Sequence, residues 1–268
     1  MIIRNLPAAE YFARPEISNS FLGLVRKAPA LAKAYLDGTY QREETPSMRL
    51  GTLVHTLVLE PDTFGSRYAV APECDRRTKA GKEEFERFTA EAASREIIPR
   101  EMHEQAEAMA DAVRVHSMAR ALLVAGDAEV SVFADMDGTA CKSRIDFVRE
   151  GGILIDLKTT ADASPDAFAR SCANFGYHRQ AAMYRDIARA AGITHDDFVF
   201  VCVEQKPPYL VACYQLNAEA EEQGRREYRH ALDIWRRCVE TGEYPGIANE
   251  LITSISLPRW AIDTGDMQ

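Results

Sequence analysis

Several features that would assign the chain to other protein classes are missing from its sequence. There are six cysteines but no Cys-x2-Cys pair, so reduced and mostly buried thiols are expected. A zinc site is disfavoured for the same reason, although cysteines distant in sequence could still converge. No run of eighteen or more apolar residues occurs, and the first residues lack a basic segment followed by an apolar one. The sequence therefore predicts a soluble, cytoplasmic protein that does not associate with membranes.

An overall basic charge is also missing. The formal net charge is −9, which argues against indiscriminate coating of nucleic acid, because phosphate binding usually depends on a basic surface. A local basic rim remains compatible with this charge. Each basic cluster could contact phosphate or form a solvated face, and the solvated face is the commoner outcome. The clusters are Arg76, Arg77, Lys79 and Lys82 in one segment, and Arg225, Arg226, Arg229, Arg236 and Arg237 in another.

The length and composition are those of a globular protein. With 268 residues, of which 46% are hydrophobic and 27% charged, the chain can build one large domain or two small ones. No internal repeat or low-complexity linker occurs, so we predict a single domain over residues 1–268. Its parts are a mostly helical region 1–125, a sheet core 126–216, and a C-terminal helix and tail 217–268. A break is predicted at Gly126-Asp127, ahead of a strand over 129–135. The predicted fold class is α/β (α+β), a central mixed β-sheet flanked by helices.

The stretch from Lys142 to Thr160 predicts two strands that meet at a tight turn. Val148 and the largely apolar run at 153–157 have the character of strand cores. Gly151 and Gly152 lie between the two segments and supply the positive φ that a hairpin turn requires. A β-hairpin is therefore the element around which we interpret the rest of the chain.

Both strands of this hairpin carry an acid in an apolar setting. Asp156 and Lys158 share a face because side chains alternate along a strand, and the hairpin can bring Asp146 beside them. Burying a charge costs several kcal/mol unless it is paired or bound to metal. Two carboxylates and an ammonium suit a hard divalent cation, with the lysine orienting or deprotonating an attacking water. The alternative is a salt-bridged hairpin, and the acid pattern alone does not decide between them.

Two predicted helices carry further polar groups. His55 lies on a mostly apolar helix between Pro46 and Pro61, where a lone histidine is more often a hydrogen-bonded core residue than a ligand. Gln180 and Tyr184 are four residues apart on a helix predicted over 177–191, so they share a face. Without further context, that pair is best interpreted as the polar edge of a core.

Three motifs, in this order along the chain, resemble those of the RecB-like branch of the PDDEXK nuclease superfamily. Residues 51–55 (GTLVH) match its G-x-x-x-H motif. Asp146 and the segment 156–158 (DLK) match its D…(D/E)-x-K core, and residues 180–184 (QAAMY) match its Q-x-x-x-Y motif. The similarity to RecE-type exodeoxyribonuclease VIII domains covers nearly every segment from Tyr11 to Trp260.

This resemblance implies a magnesium-dependent nuclease, with Mn²⁺ as a substitute metal. It assigns the positioning of water to Lys158, and it makes Glu129 an auxiliary ligand, although a surface position for Glu129 remains open. Some RecB-like nucleases hold an iron–sulfur cluster, but the closely spaced cysteines this requires are missing, so no such cluster is expected. The implied metal ligands are His55, Asp146, Asp156 and the backbone carbonyl of Leu157. Gln180 and Tyr184 would hold the DNA backbone and brace the centre, and Arg76, Arg77, Lys79, His178 and Arg179 would contact DNA.

The resemblance also implies an activity and partners. RecE-like enzymes digest linear double-stranded DNA from 5′ ends and leave 3′ single-stranded tails for a RecT-like annealing protein in recombination and repair, often in phages. They form homo-oligomeric rings, such as tetramers. Two alternatives stay open: an endonuclease or single-strand-specific nuclease with the same centre, and a catalytically silent DNA-binding module.

Overall fold

The computed structural model describes residues 1–195, 197–247, 252 and 254–258. Within these ranges, every helix is too short or too polar to cross a lipid bilayer. The strands are β1 (Ile2–Ile3), β2 (Tyr68–Val70), β3 (Glu96–Ile98), β4 (Gly126–Met136), β5 (Thr139–Arg149), β6 (Ile153–Thr160), β7 (Asp197–Glu204) and β8 (Val211–Gln215).

The helices lie between and after these strands. They are α1 (Ala8–Ala13), α2 (Asn19–Lys27), α3 (Pro29–Leu36), α4 (Pro46–Leu59), α5 (Phe64–Arg67), α6 (Lys79–Ala92), α7 (Arg100–Val115), α8 (Ser117–Leu122), α9 (Pro165–Phe175), α10 (Tyr177–Ala190) and α11 (Ala218–Thr241), with a 3₁₀ turn at Pro61–Thr63. Local chemistry explains several starts. Ser18 and Thr45 accept hydrogen bonds from the first turns of α2 and α4, and proline occupies the first turn of α3, α4 and α9.

A six-stranded mixed sheet forms the centre of the fold. Its strand order is β1-β4-β5-β6-β7-β8, and only β6 and β7 run parallel to each other. A parallel pair needs a crossover connection, which α9 and α10 provide. β2 and β3 form a separate two-stranded parallel sheet. The predicted mixed sheet flanked by helices is confirmed, whereas the single-domain assignment stays a prediction.

Helices cover both faces of the sheet. Strand residues such as Val132 and Phe200 pack with α2, α9, α10 and α11 on one face. Leu157 and Val201 face the opposite side and pack with α4, α7 and α8. The helices before β4 are therefore divided between the two faces. This division brings α4 and α10 to opposite sides of β6.

The β5–β6 hairpin is confirmed, with Gly151 and Gly152 at φ values of 89° and 88°. The predicted break at Gly126-Asp127 is wrong, because β4 begins at Gly126 and Asp127 pairs with Val148. Glycine is needed at this position because the neighbouring strand β5 passes very close, and not because the chain turns. A Cβ on Gly126 would lie 2.4 Å from the carbonyl oxygen of Val148.

Candidate active site

The backbone ladder between β5 and β6 ends a short way from the turn, and the candidate site lies where it ends. Three residue pairs join the strands, the last being Phe147 with Ile155. Continuing that register would place Asp146 opposite Asp156. Instead, the amide of Leu157 donates a hydrogen bond of 2.7 Å to Oδ2 of Asp146. A side-chain carboxylate therefore occupies the gap between two strands that have separated.

The carboxyl group of Asp146 is buried in this gap. Burial raises its pKa to about 7, and the nearby carboxylate of Asp156 acts in the same direction. His55 and Lys158 oppose this shift without cancelling it. The positive groups around Asp146 therefore do not fully offset the effects of burial and of the neighbouring carboxylates.

Asp156 and Lys158 lie on one face of β6, as their spacing predicts. The side chain of Asp156 is 1% exposed, and the Lys158 ammonium forms an ion pair with its Oδ2. The same ammonium lies 4.8 Å from the centre of the Tyr177 ring. Burial acts to lower the pKa of Lys158, but the carboxylates of Asp156 and Asp146 outweigh it and raise that pKa above its ordinary value. Lys158 is thus a cation at neutral pH.

Helix α10 contributes a polar group from one side of the sheet. Nε2 of Gln180 donates to Oδ1 of Asp156 at 2.5 Å, which fixes the orientation of that carboxylate. Tyr184 lies one turn further along α10, is partly buried against the same core, and is hydrogen-bonded to the backbone of Arg144. Burial raises the pKa of Tyr184 well above its ordinary value, so its hydroxyl stays neutral. Gln180 contacts an acid of the centre directly, whereas Tyr184 packs behind it.

Helix α4 contributes His55 from the other side. Nε2 of His55 lies 2.7 Å from the carbonyl oxygen of Leu157, and because a carbonyl only accepts, Nε2 carries the proton. Nδ1 then faces Oδ2 of Asp146 at 3.6 Å and Oε1 of Glu129 at 4.0 Å. The Leu157 carbonyl, which the resemblance makes a metal ligand, accepts a hydrogen bond from this Nε2–H group.

The approach of α4 to β6 depends on a glycine. A Cβ on Gly51 would lie 3.2 Å from Oγ1 of Thr159, closer than about nine in ten real Cβ contacts. Gly51 precedes His55 by one helical turn, so it sets the depth at which the imidazole reaches the gap.

Glu129 reaches the site through an unusual backbone conformation. Its φ is 51°, a left-handed value that costs a residue with a side chain on the order of 1–3 kcal/mol. One carboxylate oxygen pairs with Nε of Arg144, and the other faces His55. The position is largely buried and directed at the centre, so the open alternative of a surface position for Glu129 is wrong.

The donor atoms fit a divalent cation. Ligand atoms of His55, Glu129 and Asp146 all lie within 4.8 Å of one another. The carboxylate of Asp156 adds negative charge beside them, as the raised pKa of Asp146 records. Oxygen-rich, negatively charged sets of this kind suit a hard ion such as Mg²⁺, with imidazole also acceptable to Mn²⁺.

The basic segment predicted to contact DNA does not join this centre in the structure. The guanidinium of Arg76 lies 4.1 Å from the centre of the Phe85 ring, and Lys79 pairs loosely with Glu83 on its own helix. Arg77 is exposed and turns back through its amide to Asp75. These contacts are those of a solvated helix entrance.

The two basic residues ahead of Gln180 have contacts elsewhere. Nδ1 of His178 lies 2.9 Å from the Cys172 carbonyl, and its Nε2 lies 3.2 Å from Glu227, so His178 connects α9, α10 and α11. The Nε of Arg179 donates to Asn19 on α2 at 2.8 Å. Neither side chain contacts the acids of the centre.

Two participants were missed by sequence reasoning. Tyr177 lies beside Lys158, and Arg144 holds Glu129. Arg144 precedes Asp146 by two residues, so strand alternation could have placed them on one face. Tyr177 precedes Gln180 by three residues, and helical spacing gives the corresponding signal.

Comparisons with known proteins give one family and a fold. Residues 18–253 match the profile of a family described as a PDDEXK-like domain of unknown function (DUF3799). A candidate exonuclease from Eubacterium rectale has a similar structure, with a TM-score of 0.65 and 14% identity over 98% of this chain and 100% of that chain. A phage-related exonuclease from Haemophilus somnus 129PT scores 0.37 at 12% identity over 87% and 98%, too low to support an argument. At such identities the similarity concerns the fold alone, and no curated protein matches.

Proposed function

The chain belongs to the PDDEXK-like domain family DUF3799, as its motifs predict, and from this membership we propose that it is a metal-dependent exodeoxyribonuclease. The proposed substrate is linear double-stranded DNA. The proposed direction is 5′ to 3′, which leaves 3′ single-stranded tails. Direction and substrate rest on the RecE-like motifs.

One observation carries the proposal: the side chains that resemble the nuclease motifs converge on the gap between β5 and β6. They come from four different elements, α4, β5, β6 and α10. A hairpin held only by salt bridges would need no histidine from α4 and no amide from α10. The convergence of all three motifs favours a working centre over a catalytically silent module.

We assign the metal to a defined set of donors. His55, Asp146, Asp156 and the backbone carbonyl of Leu157 would hold Mg²⁺, with Glu129 as an auxiliary ligand. Mn²⁺ is the proposed substitute. When bound, the ion supplies Lewis-acid polarisation of the scissile phosphate and lowers the pKa of a coordinated water.

The remaining groups orient the reactants. Lys158 would position the attacking water and offset negative charge that develops on the phosphate oxygens. Gln180 holds the Asp156 carboxylate in one orientation, so that carboxylate needs no rearrangement during the reaction. Tyr184 supports α10 from the core, and we propose that Gln180 and Tyr184 also approach the DNA backbone.

The proposal extends to assembly and partners. A homo-oligomeric ring such as a tetramer would enclose the DNA, and a RecT-like protein would anneal the tails during recombination or repair. A ring fits the net charge of −9, because basic groups need line only its channel. We propose the cytoplasm as the compartment, which suits six cysteines that are all free thiols.

The test is digestion of linear duplex DNA labelled separately at its 5′ and 3′ ends, in Mg²⁺ or in EDTA. The wild type should release the 5′ label first, only with Mg²⁺, while Lys158→Ala should release almost none. Lys206→Ala, an exposed lysine outside the centre, is the matched control and should cut like the wild type. Circular dichroism would verify that both variants are folded.

The other outcomes separate the alternatives. Early 3′ release would keep the exonuclease and reverse its direction. Internal cuts, or cleavage of single strands alone, would favour the endonuclease or the single-strand-specific nuclease. No cleavage of duplex, single-stranded or circular DNA would leave the silent binding module, and full activity of Lys158→Ala would overturn the assigned centre.

A further inference from the structure

A groove beside the start of α10 suggests a second site. We call it the α2–α9 groove; it has a volume of about 680 Å³ and lies between α2, the segment 40–43 and the corner between α9 and α10. Arg179 on its wall directly precedes Gln180, whose amide holds Asp156. The Phe175 ring of the groove lies 5.6 Å from the Tyr177 ring, which in turn lies 4.8 Å from the Lys158 ammonium, so the groove adjoins the candidate active site.

The charge of the groove is opposite to that of the whole chain. Four basic residues line it, Arg26, Lys27, Arg42 and Arg179, against one acidic residue, Glu43. The chain as a whole carries a net charge of −9. A basic concavity on an acidic protein focuses its field on an anionic ligand.

Arg179 is the most informative of these residues. It is 6% exposed, yet among the described residues no carboxylate lies within ion-pair distance of it, and its Nε bonds the neutral side chain of Asn19. Burial lowers the pKa of Arg179 to about 10, the nearby Arg26 and Arg42 add to this effect, and the charge of Glu227 opposes it without cancelling it. A buried guanidinium without an anion is costly.

Glycines keep this guanidinium at the groove wall. A Cβ on Gly176 would lie 2.7 Å from a terminal nitrogen of Arg179, and one on Gly23 would lie 3.3 Å from it. Side chains at either position would displace the group. The fold thus places a cation here and leaves the supply of an anion to the groove.

Two other cations are available to a ligand. Lys27 is exposed at the end of α2, and Arg42 donates a hydrogen bond only to the neutral Ser20 carbonyl among its described contacts. Arg26 differs, because it pairs with Glu227, which also contacts His178. Lys27, Arg42 and Arg179 are therefore the groups that an anionic chain would contact.

An aromatic ring lies beside these cations. Phe175, the last residue of α9, is 65% exposed and lines the groove, with the Tyr177 ring 5.6 Å away. Cationic tracks next to exposed aromatic rings are how proteins bind single-stranded nucleic acid, with phosphates on the cations and bases stacked on the rings. A duplex would keep its bases away from such a ring.

We propose that the α2–α9 groove binds one separated strand of the DNA substrate, with phosphates on Arg179, Arg42 and Lys27 and a base stacked on Phe175. This inference rests on the proposed function and specifies how that centre receives its substrate. The groove would guide a strand to or from the gap between β5 and β6.

The first test measures binding without cleavage. A labelled oligothymidylate of about 20 nucleotides is titrated by fluorescence anisotropy in EDTA at several salt concentrations. The double variant Lys27→Ala/Arg42→Ala should weaken binding about tenfold and reduce the slope of log affinity against log salt by about 1.4, because each lost single-strand phosphate contact removes about 0.7. The control Arg100→Ala/Arg120→Ala removes two exposed arginines beyond the opposite face of the sheet and should change neither quantity. Both double variants avoid the buried Arg179.

The second test separates base stacking from general anion binding. Phe175→Ala should weaken oligothymidylate binding about tenfold without changing the salt slope, and it should leave heparin binding unchanged. Phe12→Ala, which also removes an exposed phenylalanine, is the matched control and should bind like the wild type.

Several results would overturn the groove assignment. For the cations, these results are an unchanged salt slope in the Lys27/Arg42 variant, an equal loss of binding in the Arg100/Arg120 control, or a loss of affinity for duplex probes only. For the ring, the contradicting result is that Phe175→Ala weakens binding to heparin as much as binding to oligothymidylate. The absence of any oligonucleotide binding by the wild type would also overturn the assignment. Cleavage is measured separately with Mg²⁺. If the wild type cleaves DNA and the groove variants bind oligothymidylate as the wild type does, the groove assignment alone is rejected. If binding depends on the groove but no protein cleaves DNA, the nuclease proposal alone is rejected.

Discussion

Two buried acidic clusters lie on either side of α10, and they differ in how their charge is balanced. At the α10–α11 interface, Asp186 accepts hydrogen bonds from Nε of Arg225 at 2.9 Å and from the Tyr228 hydroxyl at 2.7 Å. Burial acts to raise the pKa of Asp186, but these hydrogen bonds outweigh it and lower that pKa. In the active centre, Asp146 has a pKa raised to about 7.

The exposed fraction of the side chain does not explain the difference, because it is 9% for Asp186 and 12% for Asp146. The two clusters also differ in their supply of cations. At the α10–α11 interface, the single side chain of Arg225 pairs with three acids, Asp186, Glu221 and Glu222. A cluster that supplies its own cations is complete as folded, whereas we propose that the candidate active centre takes further positive charge from a bound metal ion.

The largest expected difference between the clusters is catalytic. Asp156→Asn should lower the rate of DNA cleavage by about 10³-fold, because it removes a carboxylate from the proposed metal set. Asp186→Asn should cut within about twofold of the wild type, since its cluster only holds helices together. Initial rates on linear duplex DNA at saturating Mg²⁺ would measure both. Equal losses in the two variants would contradict the distinction.

For the free energy of unfolding, we expect the larger loss from the cluster at the α10–α11 interface. Asp186→Ala should lower the free energy of unfolding by about 3 kcal/mol, because it leaves Arg225 partly buried without its main partner. Asp146→Asn should change it by less, since the raised pKa of Asp146 indicates a negative charge that the fold does not fully compensate. Urea denaturation in EDTA gives both values. A larger loss for Asp146→Asn would show that the candidate active centre is the structural cluster.

The third prediction concerns pH and metal. The pKa of Asp146 is raised in the folded state from 3.8 to about 7, so the folded chain binds the extra proton between these values and loses stability as pH rises through them. In EDTA, moving from about pH 5 to pH 8 should therefore cost the wild type on the order of 2 kcal/mol more than Asp146→Asn. Mg²⁺ at pH 8 should restore stability to the wild type and not to the variant.

Asp186→Asn serves as the control for this pH dependence. The pKa of Asp186 is lowered, so its contribution is present above its unfolded value and is lost only in more acidic solution. The variant should follow the wild type between pH 5 and pH 8 with a constant offset. A dependence on pH that survives in Asp146→Asn would assign it to other groups.

The smallest expected effect comes from the spacing of α4. Gly51→Ala should displace the helix by a few tenths of an ångström and move His55, raising the Mg²⁺ concentration for half-maximal cleavage a few-fold while costing about 1 kcal/mol of stability. Gly65→Ala, which has open space around its Cβ, is the control and should alter neither quantity. An unchanged Mg²⁺ requirement in Gly51→Ala would show that the position of His55 does not depend on the spacing between α4 and β6.

Local rules predicted the hairpin and the faces of its residues. Gly151 and Gly152 form the turn because positive φ is a property that glycine carries in any context. Asp156 and Lys158 share a face because strand alternation is equally local. The position of His55 against β6 came from the motif rather than from helix periodicity, which identified only a buried helix.

The features that were missed depend on tertiary contacts. Glu129 adopts φ of 51° in the middle of a strand, and nothing in the neighbouring sequence signals this. Gly126 resembles a turn residue but is required by the closeness of Val148 on the next strand. His178 looks like a phosphate ligand until Cys172 and Glu227 are seen to hold it. Each of these depends on a partner distant in sequence.

The parts of the active centre also differ in how far apart they lie along the chain. Leu157 and Asp146 are separated by 11 residues within one hairpin, whereas Leu157 and His55 are separated by 102. Short-range contacts close rapidly, while contacts of high sequence separation wait for the loss of more chain entropy. The acids should therefore meet early in folding and the histidine should arrive late. Under the proposed metal assignment, binding of the ion by the full donor set would therefore report completion of the fold.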